Sequence, residues 1–230
     1  MNHPLLDYRR TVAVGVDLGQ SKDPTSIAVI EKIAPEIGAH VFTARVPEAR
    51  EALRNERPSY ILRLLEQAPL GEPYPAQAQR VNRILARQQI AEHDPDVWID
   101  YTGVGRAVYD IFRDHRVPRI KPVTIIFNGQ EGPNGNGGHS VPKINLVSRL
   151  QALMHTGKLS MPESLPLAKT FRRELLDFRV GYSAVGNATF GAREGAHDDL
   201  ILAAALAVYG LDSQRIAEVM PLSQFLRGVA

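Results

Sequence analysis

Three stretches near the start of the chain are apolar, rich in β-branched residues, and bounded by charge or glycine. Thr11 to Asp17 (TVAVGVD) lies between Arg10 and Gly19. Thr25 to Ile33 and Ala39 to Val46 follow at hairpin-like spacing. Three consecutive strands joined by short loops predict an antiparallel meander. Helical periodicity then takes over. Ser59 to Gln67 gathers Ile61, Leu62, Leu64 and Leu65 on one helical face. Ala76 to Glu92 does the same with Val81, Ile84, Leu85 and Ile90. Arg80, Arg83 and Arg87 fall on the other side of that helix, which reads as a solvated face.

Further along, Val97 to Asp100 is a short buried strand, followed by TGVG and an amphipathic helix with Val108, Ile111 and Phe112. Val123 to Phe127 is another strand. Gly129 to Ser140 holds five glycines in twelve residues and is expected to be a mobile loop at the rim of a site. Asn145 to Met154 and Leu167 to Phe178 read as helices, Tyr182 to Phe190 as a hairpin, and His197 to Tyr209 as a strongly apolar helix. No repeat and no linker interrupts the pattern, so residues 1–230 are expected to form one domain. Mixed strands with helices on both faces give an α/β architecture, a mixed central sheet flanked by helices.

Composition narrows the chemistry. The chain has no cysteine, which excludes disulfides, thiol nucleophiles and thiolate zinc sites together. Any metal must be held by carboxylates or by the seven histidines. No apolar run approaches the roughly 18–20 residues that span a bilayer, and MNHPLLDYRR lacks the order of a signal peptide. No membrane partner is expected. Net charge is only +2, which predicts weak, salt-sensitive affinity for DNA. Arginine outnumbers lysine, 21 to 6. Its planar fork suits phosphate, but genomic base composition explains the excess equally well.

Three acidic positions stand out by location. Asp17 ends one apolar strand and Asp100 ends another. Asp198 and Asp199 open the last apolar helix, directly after His197. Each has a plain structural explanation alone: a strand-end aspartate forms turns, and one at a helix start caps amides and suits the dipole. Together they are harder to dismiss, because strand ends of one α/β sheet converge at one edge. Converging carboxylates without thiolates suit hard cations, Mg²⁺ or Mn²⁺. Two such ions can activate water and stabilise a leaving oxygen in phosphoryl transfer. Glycines after Asp17 and Asp100 would let a phosphate approach the backbone.

Four segments carry a resemblance: VGVDLGQSKDPTSIAVIE, DVWIDYTGVGRAVYDIF, VPKINLVSRLQALMHTGKLSMPE and GAHDDLILAAALA. In that order, over roughly residues 11–210, they resemble the nuclease domain of the large terminase subunit of tailed bacteriophages. The resemblance implies a ribonuclease H-like fold and cleavage of concatemeric double-stranded viral DNA during packaging, with two divalent ions held by acids. It implies that Asp17, Asp100 and Asp198 are the catalytic metal ligands, with Asp199 an outer ligand or cap. Asp198 is favoured because related nucleases place the acid five residues before a small helix residue, here Ala203. The implied partners are a terminase ATPase domain, the small subunit and the portal, in the cytoplasm of the host bacterium. No ATPase motif is present: in GPNGNG, Gly138 and His139 stand where a P-loop needs lysine and serine or threonine. The chain is thus an excised domain or a free-standing relative.

His197 is expected to hydrogen-bond the acids rather than bind metal. Lys143 and Arg106 are candidate DNA contacts, each also explicable as a helix-start cation. His139 reads as solvated, Asp23 as a turn former and Trp98 as core. Three other functions stay open: an actin-like or sugar-kinase-class ATPase or kinase, with VDLGQS and DYTGVG as its phosphate loops; a Holliday-junction resolvase; and a non-catalytic DNA-binding module.

Overall fold

Alternating apolar residues make Leu6–Asp17 (β1) a long strand whose inner half is fully buried. The computed structural model describes residues 3–19, 23–103, 105–135, 137–182, 188–192 and 198–218. In chain order, β1 is followed by Ser26–Ile37 (β2), Val46–Asn55 (α1), Ser59–Gln67 (β3), Tyr74–Leu85 (α2) and Gln88–Ala91 (α3). Asp96–Asp100 (β4), Gly105–Asp114 (α4), Ile120–Ile126 (β5), Gly132–Pro133 (β6) and His139–Pro142 (β7) come next. Lys143–His155 (α5), Leu159–Ser160 (β8), Ala168–Asp177 (α6), Phe178–Tyr182 (β9), Ala188–Ala192 (β10) and Asp199–Glu218 (α7) follow.

Eight strands form one mixed sheet in the order β6-β7-β5-β4-β1-β2-β3-β8. β1 pairs antiparallel with β2 and parallel with β4, and β5 and β7 continue the parallel half. The expected mixed central sheet flanked by helices is therefore present. Strand alternation feeds two cores. Val12, Val14 and Val16 pack with Val81, Ile84 and Phe112 beneath α2–α4. Ala13 and Trp98 face the opposite side, with Leu146 of α5, Phe171 of α6 and residues 200–209 of α7. There α7 lies almost against the backbone of β1: a Cβ on Gly15 would stand 1.9 Å from the carbonyl oxygen of Ala203. Around the hairpin expected over Tyr182 to Phe190, β9 pairs antiparallel with β10 as a separate two-stranded sheet, and residues 183–187 lie outside the described ones.

Four local expectations are corrected. Ser59–Gln67 is a strand, not a helix: it is the third strand of the meander. Its register against β2 shifts at Val29/Ile30, where Leu64 pairs with Val29 but Leu62 pairs with Ile30. The extra residue, Arg63, brings Leu62 and Leu65 to the same face, so a β-bulge imitates a helical i, i+3 spacing. Ala39 to Val46 is not a strand. Phe42 is exposed, Thr43–Arg45 is a 3₁₀ turn, and α1 follows with Pro47 in its first turn. The helix expected over 76–92 breaks at Arg87, which takes extended backbone, and Ile90 joins Ile84 and Leu85 in one core. Finally, 129–140, expected as a loop, supplies β6 and the first residues of β7.

Candidate functional site

Asp17 and Asp100 are the last residues of β1 and β4, neighbouring parallel strands. By alternation Asp17 shares the face of Ala13 and Gly15, and Asp100 that of Trp98, the face that α7 covers. α7 begins at Asp199, with Asp198 just ahead of it. Its apolar run must lie flat on the sheet, so its first residues arrive over the strand ends. Lys143 opens α5 immediately after β7 and extends Nζ to Asp198 Oδ2 at 2.7 Å. Sequence positions 17, 100, 143, 198 and 199 thus meet at one end of the sheet.

The electrostatics confirm the meeting. Asp17 is buried, and its carboxyl is pushed well above the usual carboxylate range. Burial is the largest cause, then the charges of Asp100, Asp199 and Asp198, with Lys143 opposing them. Asp100 is also raised by burial, against hydrogen bonds from Thr102 and Asp17 and the charge of Lys143. The carboxyls of Asp17 and Asp100 therefore share a hydrogen bond and hold a proton more tightly than isolated acids would. Thr102 N donates to Asp100 Oδ1 at 2.7 Å, fixing that carboxyl in a turn. Asp199 bears on Asp17 more strongly than Asp198 does, and Asp198 is the one that Lys143 engages.

A divalent cation fits this donor set by its chemistry. The oxygens are hard carboxylate donors, crowded, and balanced by one nearby lysine. Among the described residues no three acids or histidines are gathered into a ready-made cation cage.

Other expected residues fall differently. His197 lies outside the described residues, as does the side chain of Arg106, whose backbone is the second residue of α4. His139 is not merely solvated: its Nδ1 is hydrogen-bonded to the Tyr209 hydroxyl at 2.8 Å, and its ring meets Trp98 edge-on. Trp98 is core. Arg80, expected on a solvated face, is instead largely covered and grips Glu72 and Glu66. Gly19 leaves room for the chain itself rather than for phosphate, since a Cβ there would lie 2.0 Å from Asp23 O. Gly103 sits at φ +76 with open space around it, a turn that glycine favours.

Sequence reasoning missed Glu174. It reaches from α6 to α7, where its Oε2 accepts hydrogen bonds from Leu200 N at 3.0 Å and Ile201 N at 3.3 Å. A carboxylate from another helix thus caps α7 and fixes the direction in which Asp198 and Asp199 enter. Burial and the two aspartates raise its pKa to about 7, against those two amide bonds. The signal was present: Ala168, Phe171 and Glu174 form the buried stripe of α6, and a glutamate on such a stripe needs a partner. Glu174→Ala is expected to cost ~1–2 kcal/mol, read as a lower melting temperature.

Solved structures of phage terminase nucleases share this fold. The large terminase nuclease from thermophilic phage G20c with bound magnesium is 21% identical, with a TM-score of 0.57 over 91% of this chain and 89% of that one. The same nuclease with bound cobalt gives the same figures. The Thermus phage P74-26 large terminase nuclease domain is 20% identical, with a TM-score of 0.55 over 89% of this chain and 85% of that one. No protein-family model and no curated protein matches the chain. The likeness establishes the fold, ribonuclease H-like as expected; what the fold carries here is a matter for the site.

Proposed function

We propose that the chain is a divalent-cation-dependent DNA endonuclease of the large-terminase type, cutting concatemeric viral DNA by phosphodiester hydrolysis. The observation that carries this reading is the meeting of Asp17, Asp100, Asp198 and Asp199 at one end of the sheet, with proton affinity raised at the two strand-end acids. The cation is Mg²⁺ or Mn²⁺, taken as two ions. Bound there, it would supply an activated water and offset charge on the phosphate. Asp17, Asp100 and the Asp198/Asp199 pair hold it. Cation binding there competes with protonation, since burial raises the proton affinity of both Asp17 and Asp100. Lys143 orients Asp198 and presents its ammonium toward the phosphodiester. Glu174 keeps α7 in register for both. The reading makes double-stranded DNA the substrate, with an ATPase domain, small subunit and portal as partners in the host cytoplasm. Among the described residues no helix is long and apolar enough to cross a membrane.

The test is incubation with supercoiled plasmid in Mg²⁺ or Mn²⁺. Nicking and linearisation that stop on chelation are expected. ATP binding without cutting would favour the kinase class instead. Strong preference for four-way junctions over linear duplex would favour a resolvase, and no cutting by folded protein would leave a DNA-binding module.

Lys143→Ala is expected to lower cutting about tenfold, the equivalent of ~1.4 kcal/mol of lost charge pairing. Its sign in pH is fixed. Lys143 lowers the proton affinity of Asp17 and Asp100, so without it the pH–rate profile moves to higher pH.

A further inference from the structure

The acids occupy the α7 face of the sheet, but the other face of the same strand ends is not empty of chemistry. Tyr101 follows Asp100 directly, so alternation sends it to the α4 side. There it meets Tyr109 of α4 edge to face, ring centroids 6.1 Å apart at 87°. Arg113, one turn further along α4, lies with its guanidinium carbon 5.9 Å from the Tyr109 ring centre. Thr124 of β5 and Asn134 beside β6 form the opposite wall. The groove between has a volume of about 530 Å³, within the usual range for small-ligand sites.

The groove lies between α4 and the β5–β6 side of the sheet. Alternate residues of β5 there, Pro122 and Thr124, stay half-buried. The lining argues for a base rather than a duplex backbone. Its charges cancel, since Arg113 faces Asp110 at 3.8 Å, whereas duplex tracking wants an excess of cations. Tyrosine rings with one flexible arginine are the chemistry that stacks unpaired bases and holds a single phosphate. Arg113 is largely exposed, so a phosphate can reach its guanidinium from solvent.

We infer that this groove binds one or two unpaired nucleotides of the DNA strand whose phosphate lies at the acids. The strand crosses the end of β4, from the Asp100 side to the Tyr101 side, and stacks a base against Tyr109. The inference rests on the nuclease reading for the identity of its ligand. It adds to that reading a preference for sites where the duplex frays.

The test measures binding of a fluorescent oligothymidylate and of a labelled duplex to the full chain in chelator, where nothing is cut. Tyr109→Ala is expected to weaken oligothymidylate binding about 5- to 150-fold, the range for loss of one stacked base. Tyr109→Phe, which keeps the ring, is expected to bind as wild type does. Arg113→Ala changes an exposed side chain and supplies a second arm if Tyr109→Ala fails to fold; it is also expected to weaken the oligothymidylate selectively. Unchanged binding by folded Tyr109→Ala and Arg113→Ala would overturn the groove, as would equal loss on duplex and single strand. The two readings fail separately. A chain that cuts no plasmid yet binds oligothymidylate through Tyr109 would sink the nuclease and support the groove. A chain that cuts normally with both variants binding as wild type would sink the groove alone.

Discussion

Asp17→Asn is expected to end DNA cutting, by at least ~10³-fold, and to make the metal-free protein more stable at neutral pH. Both effects come from one cause. The carboxyl of Asp17 is buried among three other acids, so its charged form is disfavoured in the fold. A group whose pKa is raised on folding contributes stability below its unfolded value, and that contribution is lost as pH rises through the folded value. Metal-free wild type should therefore melt progressively lower as pH rises from the acid range toward neutrality. Glu174, raised to about 7, adds to the same trend. Asparagine keeps the shape and removes the charge, so the Asp17→Asn curve should be flatter. The two proteins should converge near pH 4 and separate above it. In a chain of this size ~1 kcal/mol corresponds to ~2–4 °C, which thermal melts resolve. Adding Mg²⁺ or Mn²⁺ should raise the melting temperature of wild type and leave the variant nearly unmoved. A variant that melts lower than wild type at pH 8 without metal would contradict the account of Asp17 as a strained, functional acid.

Gly15→Ala is expected to be severely destabilising. The added carbon would lie 1.9 Å from Ala203 O and 2.7 Å from Ala207 N, both backbone atoms of α7. No rotamer relieves such a contact, so α7 must lift from β1. That opens the core formed by Ala13, Leu200, Ala203 and Leu206, at a cost of ~3 kcal/mol or more. Because α7 carries Asp198 and Asp199, cutting should fall as well, even below the melting temperature. Urea denaturation checks the first part and plasmid cutting the second. A loss under ~1 kcal/mol would show that the helix seats less tightly than its backbone contact indicates.

The fold class was legible because its signals are local: β-branched runs ending in aspartate, an amphipathic α4, an apolar α7. The positions of Asp17, Asp100 and Asp198/Asp199 followed from element ends alone, since a sheet brings its strand termini to one edge. β3 was misread because a bulge at Arg63 turns a period of two into a spacing of three, and pattern cannot distinguish that from a helix. The 39–46 segment was misread because Val41 and Phe42 look like strand residues, while burial, which they mostly lack, is decided by tertiary packing. The α6 stripe marks Glu174 as buried, but its partner amides on α7, like the Tyr209 partner of His139, depend on which elements pack together, and no spacing along the chain encodes that.

The most direct test of the central claim is anomalous diffraction from crystals soaked in Mn²⁺ above neutral pH, where protons compete least for the raised carboxyls of Asp17 and Asp100. A manganese peak between the carboxylates of Asp17 and Asp100, with Asp198 or Asp199 completing the coordination, is the predicted result. Manganese found only away from these acids, or no peak from a protein that still cuts DNA in Mn²⁺, would contradict it.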